Sequence, residues 1–412
     1  VILTHNNIWS NVQAALEVMP LAADDECLAM LPLSHVYERM VDYTLMRAGV
    51  IINYAESFDK VAANLGEVRP SIVLSVPRLY EKVYARVLEN ALSGSAVKRK
   101  IFFWARRVGD EWATLKLDQR PIPGGLAFRH AIADRLVFSK LRARTGGRIR
   151  FFISGSAPLS PEIAKFFFSA GLPVLEGYGL TETSPVLTLN PLTRPRIGSV
   201  GPVVPGVQLK IAADGEILAK GPNIMQGYWN KPEATAEAID AEGWFHTGDI
   251  GELDADGYLK ITDRKKDLIK TAGGKYIAPQ PIENHVKLNK FVANAVLLGD
   301  KRKFSIILVV PNFESLEPWA TAQGLAFTSR RQLIGLPAVR QKMEEEVGST
   351  MGDLAHFERP KKIVLLEQDF TIESGELTPT LKVKRRVVEK NYAPVIDAAY
   401  AERDSVGLGV EP

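Results

Sequence analysis

The segment 176–183 combines residue types that could hold a nucleotide. It reads Glu-Gly-Tyr-Gly-Leu-Thr-Glu-Thr, and its two glycines would let the backbone approach a flat or charged ligand. Tyr178 offers an aromatic face for stacking, Thr181 a hydroxyl for a phosphoryl oxygen, and Glu182 a hard oxygen ligand for Mg²⁺. A strand that ends in a turn with a threonine helix cap would explain the same residues. Both interpretations stay open on this segment alone.

Four further segments with suitable polar groups follow along the chain. Residues 243–249 end in Thr-Gly-Asp, and the Asp249 carboxylate could accept hydrogen bonds from both hydroxyls of a ribose. Residues 263–270 form a dense charged run, and Gly273-Gly274-Lys275 comes soon after it. Residues 377–386 form a basic tail, which a solvated surface would explain equally well because that is the commoner fate of a charge run.

These motifs, in this order, resemble the adenylate-forming superfamily of acyl-CoA synthetases, luciferases and peptide-synthetase adenylation domains. The order is Tyr-Gly-x-Thr-Glu, Thr-Gly-Asp, an Arg-x-Lys linker and a late lysine, and it spans nearly the whole chain. Any one motif would be a weak signal, but four in the correct order are specific. The resemblance implies ATP, Mg²⁺ and coenzyme A as reactants, with acyl-AMP formed first and then an acyl-CoA.

The resemblance also assigns roles to individual residues. Tyr178 should line the adenine, with the turn after an earlier strand as the other wall, and Glu182 should hold the magnesium. Thr181, Glu182 and Lys382 are the catalytic candidates, although the family's usual Ser-Gly-Lys is here Thr380-Leu381-Lys382. Of the basic tail we assign only Lys382 to catalysis and leave Lys384, Arg385 and Arg386 as surface. The residues expected to bind ATP or AMP are Gly155, Ser156, Ala157, Gly177, Tyr178, Gly179, Thr181, Asp249, Arg264, Lys266 and Lys270.

On the coenzyme A and acyl side, the resemblance points to a histidine and to a glycine loop. His35 lies in an apolar-flanked motif at 32–39, although a lone histidine there is more often a satisfied core residue. Gly273, Gly274 and Lys275 are expected to face the active site after a reorientation of the C-terminal domain, and to admit pantetheine.

A long-chain fatty acid is the acyl substrate that the resemblance favours. Segments 58–71, 76–83 and 136–142 look like long-chain members, whereas short-chain and aryl ligases usually lack this basic and aromatic stretch. The run 98–107, Lys-Arg-Lys-Ile-Phe-Phe-Trp-Ala-Arg-Arg, allows two interpretations. It could rest on a membrane surface, or it could pack its aromatic side chains inward as most such helices do.

The elements that must position these groups follow from the apolar patterning. Buried strands are expected at 71–76, 149–153 and 173–176, with a helix opening at Pro77, which is the α/β signature. From about residue 191 alternation takes over, with an Asp214-Gly215 hairpin turn. Beyond Asp263 we expect a helix after Pro279, strands near 295–298 and 305–310, and a closing strand at 363–366.

We therefore predict an α/β protein of three parts. Residues 1–190 would be the remainder of a large αβαβα N-terminal domain, residues 191–263 a small β-barrel-like subdomain, and residues 264–412 a smaller mobile α+β domain with a hinge at 263–267. In the family a phosphate loop ending in Lys-Gly precedes the segment matched by residues 1–5, and no such loop occurs in this sequence. We accordingly expect an N-terminally truncated chain whose own activity is in doubt.

Composition limits the remaining function classes. The net charge is only +3, which gives no reason to expect a nucleic-acid partner. A single cysteine, Cys27, excludes an intrachain disulfide and favours a reducing, cytoplasmic location, with contact at the inner face of a membrane left open. A ligase that passes acyl-AMP to a carrier protein, and a non-catalytic fragment that binds nucleotide or CoA, remain alternatives. The sequence does not indicate an oligomeric state.

Overall fold

A mainly parallel sheet organises the first part of the chain. The structure is a computed structural model that describes residues 1–265, 267–272, 275–352, 354–378 and 383–401. The sheet has the order β2-β1-β3-β4-β5-β6, in which neighbours are parallel except β6, which runs antiparallel to β5. Its strands are β1 (Glu26–Ala29), β2 (Ile51–Tyr54), β3 (Ile72–Ser75), β4 (Phe151–Ser154), β5 (Val174–Gly179) and β6 (Val186–Leu189). The three strands expected from the sequence are β3, β4 and β5, which confirms them.

Helices cover this sheet because amphipathic stretches alternate with its strands. Pro77 occupies the first turn of its helix, where its missing N–H costs nothing, as expected. Val76, Phe151 and Leu175 belong to a core that the strands share with the first two helices. The helices are α1 (His5–Val18), α2 (Val36–Ala48), α3 (Val61–Val68), α4 (Pro77–Leu92), α5 (Ala96–Leu117), α6 (Gly124–Ala133), α7 (Ser139–Arg144) and α8 (Pro161–Ser169), with a π-helical turn at Asp134–Phe138 between α6 and α7.

A second, antiparallel sheet follows, in the order β10-β9-β8-β7. Asp214-Gly215 forms the expected turn between β7 and β8, and Gly215 has a φ of 85°, which a side chain would disfavour. Tyr178 and Leu187 of the first sheet pack with Ile217 of the second in one apolar cluster, which joins the two sheets. The elements are β7 (Gln208–Ile211), β8 (Glu216–Lys220), α9 (Pro232–Ala238), β9 (Phe245–Leu253) and β10 (Leu259–Arg264).

The remaining residues form a unit with its own core. By their contacts the residues divide into Val1–Thr262 and Asp263–Pro412. In the second unit β13 and β14 are antiparallel and β14 and β15 parallel, and both faces of this sheet are buried under helices. Its elements are β11 (Ile269–Lys270), β12 (Tyr276–Ile277), α10 (Pro279–Val286), β13 (Val292–Leu298), β14 (Ile306–Pro311), α11 (Phe313–Ala322), α12 (Arg330–Gly335), α13 (Pro337–Ser349), β15 (Lys362–Leu365), α14 (Arg385–Asn391) and α15 (Ala393–Ala401).

The α/β class expected from the sequence is confirmed, and the elements predicted after Pro279 are present. The division into three parts with a hinge at 263–267 stays a prediction. In the described part of the chain, no helix combines the length and the apolar character that crossing a bilayer requires.

Arg385 departs from the expectation for the basic tail. We expected it on the surface, but its side chain is only 17% exposed and its Nη1 lies 2.6 Å from Glu283 Oε1. The same Nη1 also donates to the Leu297 carbonyl, and Glu283 Oε1 accepts the Leu297 N–H at 2.6 Å. A run of basic residues does not indicate which of them pairs with a buried acid in the folded protein. The sequence pattern therefore does not distinguish Arg385 from its neighbours. The ion pair fastens α14 to α10 and β13.

We predict that residues 263–412, produced alone, unfold cooperatively in urea and that Arg385→Gln destabilises them. Removing one partner of a buried ion pair leaves the other charge uncompensated, at a cost of about 3–5 kcal/mol. The free energy of unfolding from urea titration followed by circular dichroism measures the loss.

Arg386→Gln is the matched control, because the neighbouring Arg386 is exposed. It should change the free energy of unfolding by no more than about 0.5 kcal/mol. Equal losses for the two variants, or a broad non-cooperative transition for the isolated segment, would contradict this account of the second unit.

Candidate active site

The carboxyl ends of β4 and β5 meet at one edge of the parallel sheet, where such sheets bind ligands. Ser154 of β4 lies opposite Glu176 of β5, so the turn Gly155-Ser156-Ala157 begins beside the Tyr178 segment. A Cβ on Gly155 would lie 3.1 Å from Cζ of Tyr37, tighter than an ordinary contact. The predicted two walls of an adenine pocket are therefore adjacent in the first unit, and close packing on Tyr37 favours glycine at position 155.

Gly179 is needed for close packing of backbone on backbone. A Cβ there would lie 1.8 Å from the carbonyl oxygen of Pro185, and Leu180 N–H donates to that same oxygen at 3.2 Å. Gly177 is less constrained, since its Cβ would meet Leu189 Cδ1 at 3.2 Å. From the sequence, both glycines are predicted to let the backbone approach a ligand. That role stays a prediction, while the structure supplies a packing reason for Gly179.

Tyr178 and Asp249 join the two sheets through a hydrogen bond. The Tyr178 hydroxyl donates to Asp249 Oδ2 at 2.7 Å, and the two residues are 9% and 6% exposed. Thr247 fixes the backbone at Asp249, because its hydroxyl donates to the Ile217 carbonyl at 2.7 Å and accepts the Asp249 N–H at 3.1 Å. Two motifs that are 71 residues apart in sequence thus form one arrangement, with the aromatic ring and the carboxylate fixed relative to each other.

Glu216 stabilises the Thr-Gly-Asp segment through hydrogen bonds, a role that the sequence alone does not predict. Its Oε1 accepts the Gly248 N–H at 2.9 Å, and its Oε2 lies 3.2 Å from His246 Nδ1. His246 Nε2 in turn lies 3.5 Å from Asp240 Oδ2. The available signal was an acid immediately after the Asp-Gly turn, at a strand position whose neighbours are apolar.

Thr181 and Glu182 begin a single helical turn at the end of β5. Thr181 is exposed, whereas Glu182 is half-buried and its Oε1 accepts a hydrogen bond from the Tyr228 hydroxyl at 2.9 Å. Burial, together with the Glu182 charge, raises the pKa of Tyr228 to about 12, so Tyr228 stays a donor. Tyr228 was also missed, because an aromatic residue in a loop carries no distinctive pattern.

These residues suit a magnesium ion that is held mainly by phosphate and water. Among the described residues no cluster of three or more His, Cys, Asp or Glu side chains could hold a metal ion. Mg²⁺ usually takes one or two carboxylates from the protein and completes its octahedron with substrate oxygens and water. Glu182, oriented by Tyr228, fits the part of that single carboxylate.

Glu176 is a buried acid beneath the predicted adenine pocket. It is 8% exposed, and its Oε1 accepts the Leu159 N–H at 3.2 Å. Burial raises the pKa of Glu176 to about 8, since a charge there would lose its hydration. At neutral pH the side chain is therefore mostly a neutral acid that supports the end of β5.

His35 takes a structural position at the start of α2. It is the N-cap residue, and its Nδ1 accepts the Tyr37 N–H at 3.2 Å. A histidine at this position satisfies one of the helix's unpaired N–H groups. The predicted role beside the acyl and CoA channels stays a prediction.

The other predicted residues belong to the second unit. Arg264 ends β10 and is exposed, and Lys270 lies with its ammonium 5.2 Å from the centre of the Tyr276 ring. Lys275 Nζ is 5.6 Å from the Phe357 ring centre. Predicted residues that lie outside the described residues are Lys266, Gly273, Gly274 and Lys382.

Comparison with known families matches both units. A family model described as AMP-binding enzyme matches residues 1–229, and one described as AMP-binding enzyme C-terminal domain matches residues 266–404.

Among curated relatives, the long-chain-fatty-acid–CoA ligase FadD15 of Mycobacterium bovis is 38% identical over 402 residues, which are 97% of this chain and 66% of the relative. The peroxisomal long chain acyl-CoA synthetase 7 of Arabidopsis thaliana is 35% identical over 421 residues, 98% of this chain and 59% of the relative. The chain thus spans only about two thirds or less of these relatives' lengths.

A solved structure with the same fold is the adenylation domain of the carboxylate reductase of Mycobacterium chelonae. It matches with a TM-score of 0.73 at 24% identity, over 96% of this chain and 57% of that one. At this identity the likeness concerns the fold.

We predict that Glu176→Gln weakens the dependence of stability on pH. Because the folded-state pKa is raised to about 8, the folded protein keeps a proton that the unfolded chain releases above its ordinary pKa near 4.5. The free energy of unfolding of the native protein should therefore fall as pH rises from about 5 to 8, by about 1.4 kcal/mol for each unit of pKa shift. Glutamine has no such proton, so Tm should drop less over this window.

Glu242→Gln serves as the control, because Glu242 is exposed. Its Tm should follow the native curve between pH 5 and 8. Glu38, whose pKa burial raises to about 8 as well, contributes the same slope to every protein in the series. A Glu176→Gln curve parallel to the native curve would show that Glu176 ionises freely in the fold.

Proposed function

Because the chain belongs to the AMP-binding enzyme family, we propose that it is an AMP-forming long-chain fatty-acid–CoA ligase. The observation that supports the proposal is the Tyr178–Asp249 hydrogen bond, which joins an aromatic ring to the carboxylate predicted to bind ribose, near the turn after β4. Curated relatives named as long-chain-fatty-acid–CoA ligases support the choice of acyl substrate.

The proposed reaction solves a leaving-group problem. A carboxylate acylates poorly because it would have to expel oxide, whereas attack of its oxygen on the α-phosphate of ATP expels pyrophosphate and makes that oxygen part of AMP. The thiol of coenzyme A then displaces AMP and forms the thioester. Since the first step brings anions together, the protein mainly positions groups and neutralises charge.

The exposure of each side chain suggests which part of the substrate it would contact. Tyr178 and Asp249 are buried, held by each other, and suited to fixing the nucleoside. Thr181 is exposed at the start of its helical turn, where its hydroxyl is available to a phosphate oxygen. Glu182 would hold Mg²⁺, which neutralises phosphate charge when bound. Lys382, a cation on a long side chain, would complete the charge neutralisation during adenylation.

In this proposal the unit after Asp263 reorients between the two half-reactions. Arg264, Lys266 and Lys270 would contact ATP or AMP, and Gly273, Gly274 and Lys275 would admit pantetheine. His35 would lie on the acyl side. Hinges of this kind use a few residues at the end of an element, and the predicted hinge at 263–267 begins with the last two residues of β10, which ends at Arg264. We propose a cytoplasmic location with peripheral membrane contact.

The first prediction from this function concerns magnesium. In the complete enzyme, Glu182→Gln should reduce palmitate-dependent ATP–pyrophosphate exchange by about 100-fold or more, because it removes the charge that would hold the ion. The exchange rate at saturating Mg²⁺ is the measurement.

Tyr228→Phe gives the matched control for Glu182. It removes only the hydroxyl that orients the carboxylate, so a loss of about tenfold or less is expected. An exchange rate of Glu182→Gln within a few-fold of the native rate would remove Glu182 from the site.

The second prediction concerns the division of labour between half-reactions. Lys382→Ala should suppress acyl-AMP formation by about 100-fold, yet leave thioester formation from supplied palmitoyl-AMP and coenzyme A within a few-fold of native. Lys384→Ala, which changes an exposed neighbour, should leave both steps near native. Equal losses in both half-reactions for Lys382→Ala would count against an alternating second unit, and AMP release that does not depend on coenzyme A would contradict the ligase assignment.

A further inference from the structure

The outer face of the segment α6–α7 carries an apolar ridge. Phe128, Ile132 and Leu136 follow one another at intervals of four residues and are 69%, 37% and 40% exposed. Side chains spaced by four residues lie above one another on a helix, so the three form a continuous stripe. The opposite side of the segment is buried through Leu126 and Phe138. Single exposed apolar residues are common, but a contiguous row of three is typical of a surface that binds another molecule or a membrane.

The same part of the chain is strongly basic. Residues 120–150 contain eight Lys and Arg residues against one acid, Asp134, whereas the net charge of the whole chain is only +3. Asp134 is already neutralised by Arg142, with Nη1 to Oδ1 at 2.6 Å. The other basic residues that form ion pairs are Arg129, Arg148 and Arg150, with Glu111, Glu26 and Asp25.

Four basic residues of this region remain without an ion pair among the described residues, and three of them lie in the segment that carries the ridge. Arg120, Arg135, Lys140 and Arg144 are exposed and form no ion pair with any residue that the structure describes. Lys140 continues the four-residue spacing of the ridge, one step beyond Leu136. An apolar stripe bordered by unpaired cations, with no free acid, is the arrangement of helices that lie in the plane of a lipid interface.

We propose that the outer face of α6–α7 docks on an anionic phospholipid surface, with Phe128, Ile132 and Leu136 in the interface and Arg135, Lys140 and Arg144 on lipid phosphates. Each basic side chain near such a surface contributes about 1 kcal/mol at physiological ionic strength. A nucleic acid would leave the apolar ridge without a partner, and an acidic protein surface would have to match both the ridge and its cations. The surface does not depend on the proposed activity.

The basic run at the start of α5 is a poorer candidate. Lys98, Arg99 and Lys100 are exposed, but Phe102 is buried, and Phe103 and Trp104 are half-buried. Of the two interpretations of this run, inward packing of the aromatic residues is therefore the one confirmed for Phe102. These cations adjoin a single exposed apolar residue, Val97, instead of a ridge.

The chain offers a direct way to test the docking face. Its only cysteine, Cys27, is buried, and burial, reinforced by nearby Glu38 and Asp42, holds the pKa of its thiol well above the ordinary value. Phe128→Cys can therefore be labelled selectively with an environment-sensitive fluorophore. Trp229→Cys is the matched control, since Trp229 is an exposed aromatic residue of the same unit, 72% exposed, outside the ridge.

Labelled full chains are mixed with vesicles of phosphatidylcholine, with or without phosphatidylglycerol, at physiological ionic strength. We expect a blue shift and an increase in emission for the label at 128 with the anionic vesicles only, and no change for the label at 229. No response at 128 with anionic vesicles, or equal responses at 128 and 229, would overturn the proposed face. An equal response to neutral vesicles would overturn the anionic chemistry.

Variants in the labelled chain separate the ridge from its cations. Arg135→Gln with Lys140→Gln and Arg144→Gln should weaken vesicle binding on the order of 100-fold. Ile132→Ser with Leu136→Ser should weaken it by about tenfold or more, with unchanged circular dichroism because both residues are exposed. The charge-matched control, Lys98→Gln with Arg99→Gln and Lys100→Gln, should lose only a few-fold. A loss from that control as large as from the first triple variant would place the membrane on α5 and contradict the proposal.

Discussion

The hydrogen bond between the Tyr178 hydroxyl and Asp249 Oδ2 is the contact on which the first unit's candidate site depends. It connects the end of β5 to the middle of β9, and the Tyr178 ring lies in the apolar cluster that joins the two sheets. Both residues are nearly buried, and the hydrogen bond fixes the aromatic ring and the carboxylate relative to each other. The nucleoside site would then be a property of how the sheets pack, with the phosphate-facing Thr181 at its exposed end.

Two acidic side chains, Glu176 and Glu216, are buried next to the candidate site, where an uncompensated charge would be unfavourable. Glu176 accepts one backbone N–H and stays largely protonated at neutral pH, because burial raises its pKa to about 8. Glu216 is compensated differently, by the Gly248 N–H and by His246. Both acids hold backbone beside the proposed ligand groups. These hydrogen bonds fix the backbone next to Asp249 and Tyr178, and so help to hold the two side chains in position.

The sequence was sufficient for the family, the α/β class and the location of the principal strands, because each rests on a pattern of several residues. The order of four motifs identified the family, which the family models confirm. Single side chains were harder. Tyr228 acts through its hydrogen bond to Glu182, and Glu216 through its contacts with the Gly248 N–H and with His246. No local sequence pattern marks either residue before the chain folds. The sequence pattern predicts a surface position for Arg385, because the partner that buries it, Glu283, lies 102 residues away. The exposed ridge of α6–α7 was missed because burial is not known from spacing alone.

The contacts of the described residues on both sides of Lys382 bear on its proposed role in one half-reaction. Just before the segment with Lys382, Leu377 N–H donates to the Thr371 carbonyl at 2.9 Å, and just after it Lys384 N–H donates to the Glu376 carbonyl at 2.7 Å. An isolated bridge pairs Leu377 with Val383, and Arg385 is locked to Glu283 two residues later. Both ends of the short segment are thus fastened to the second unit. The proposed role of Lys382 in one half-reaction would accordingly involve reorientation of the second unit that carries these contacts.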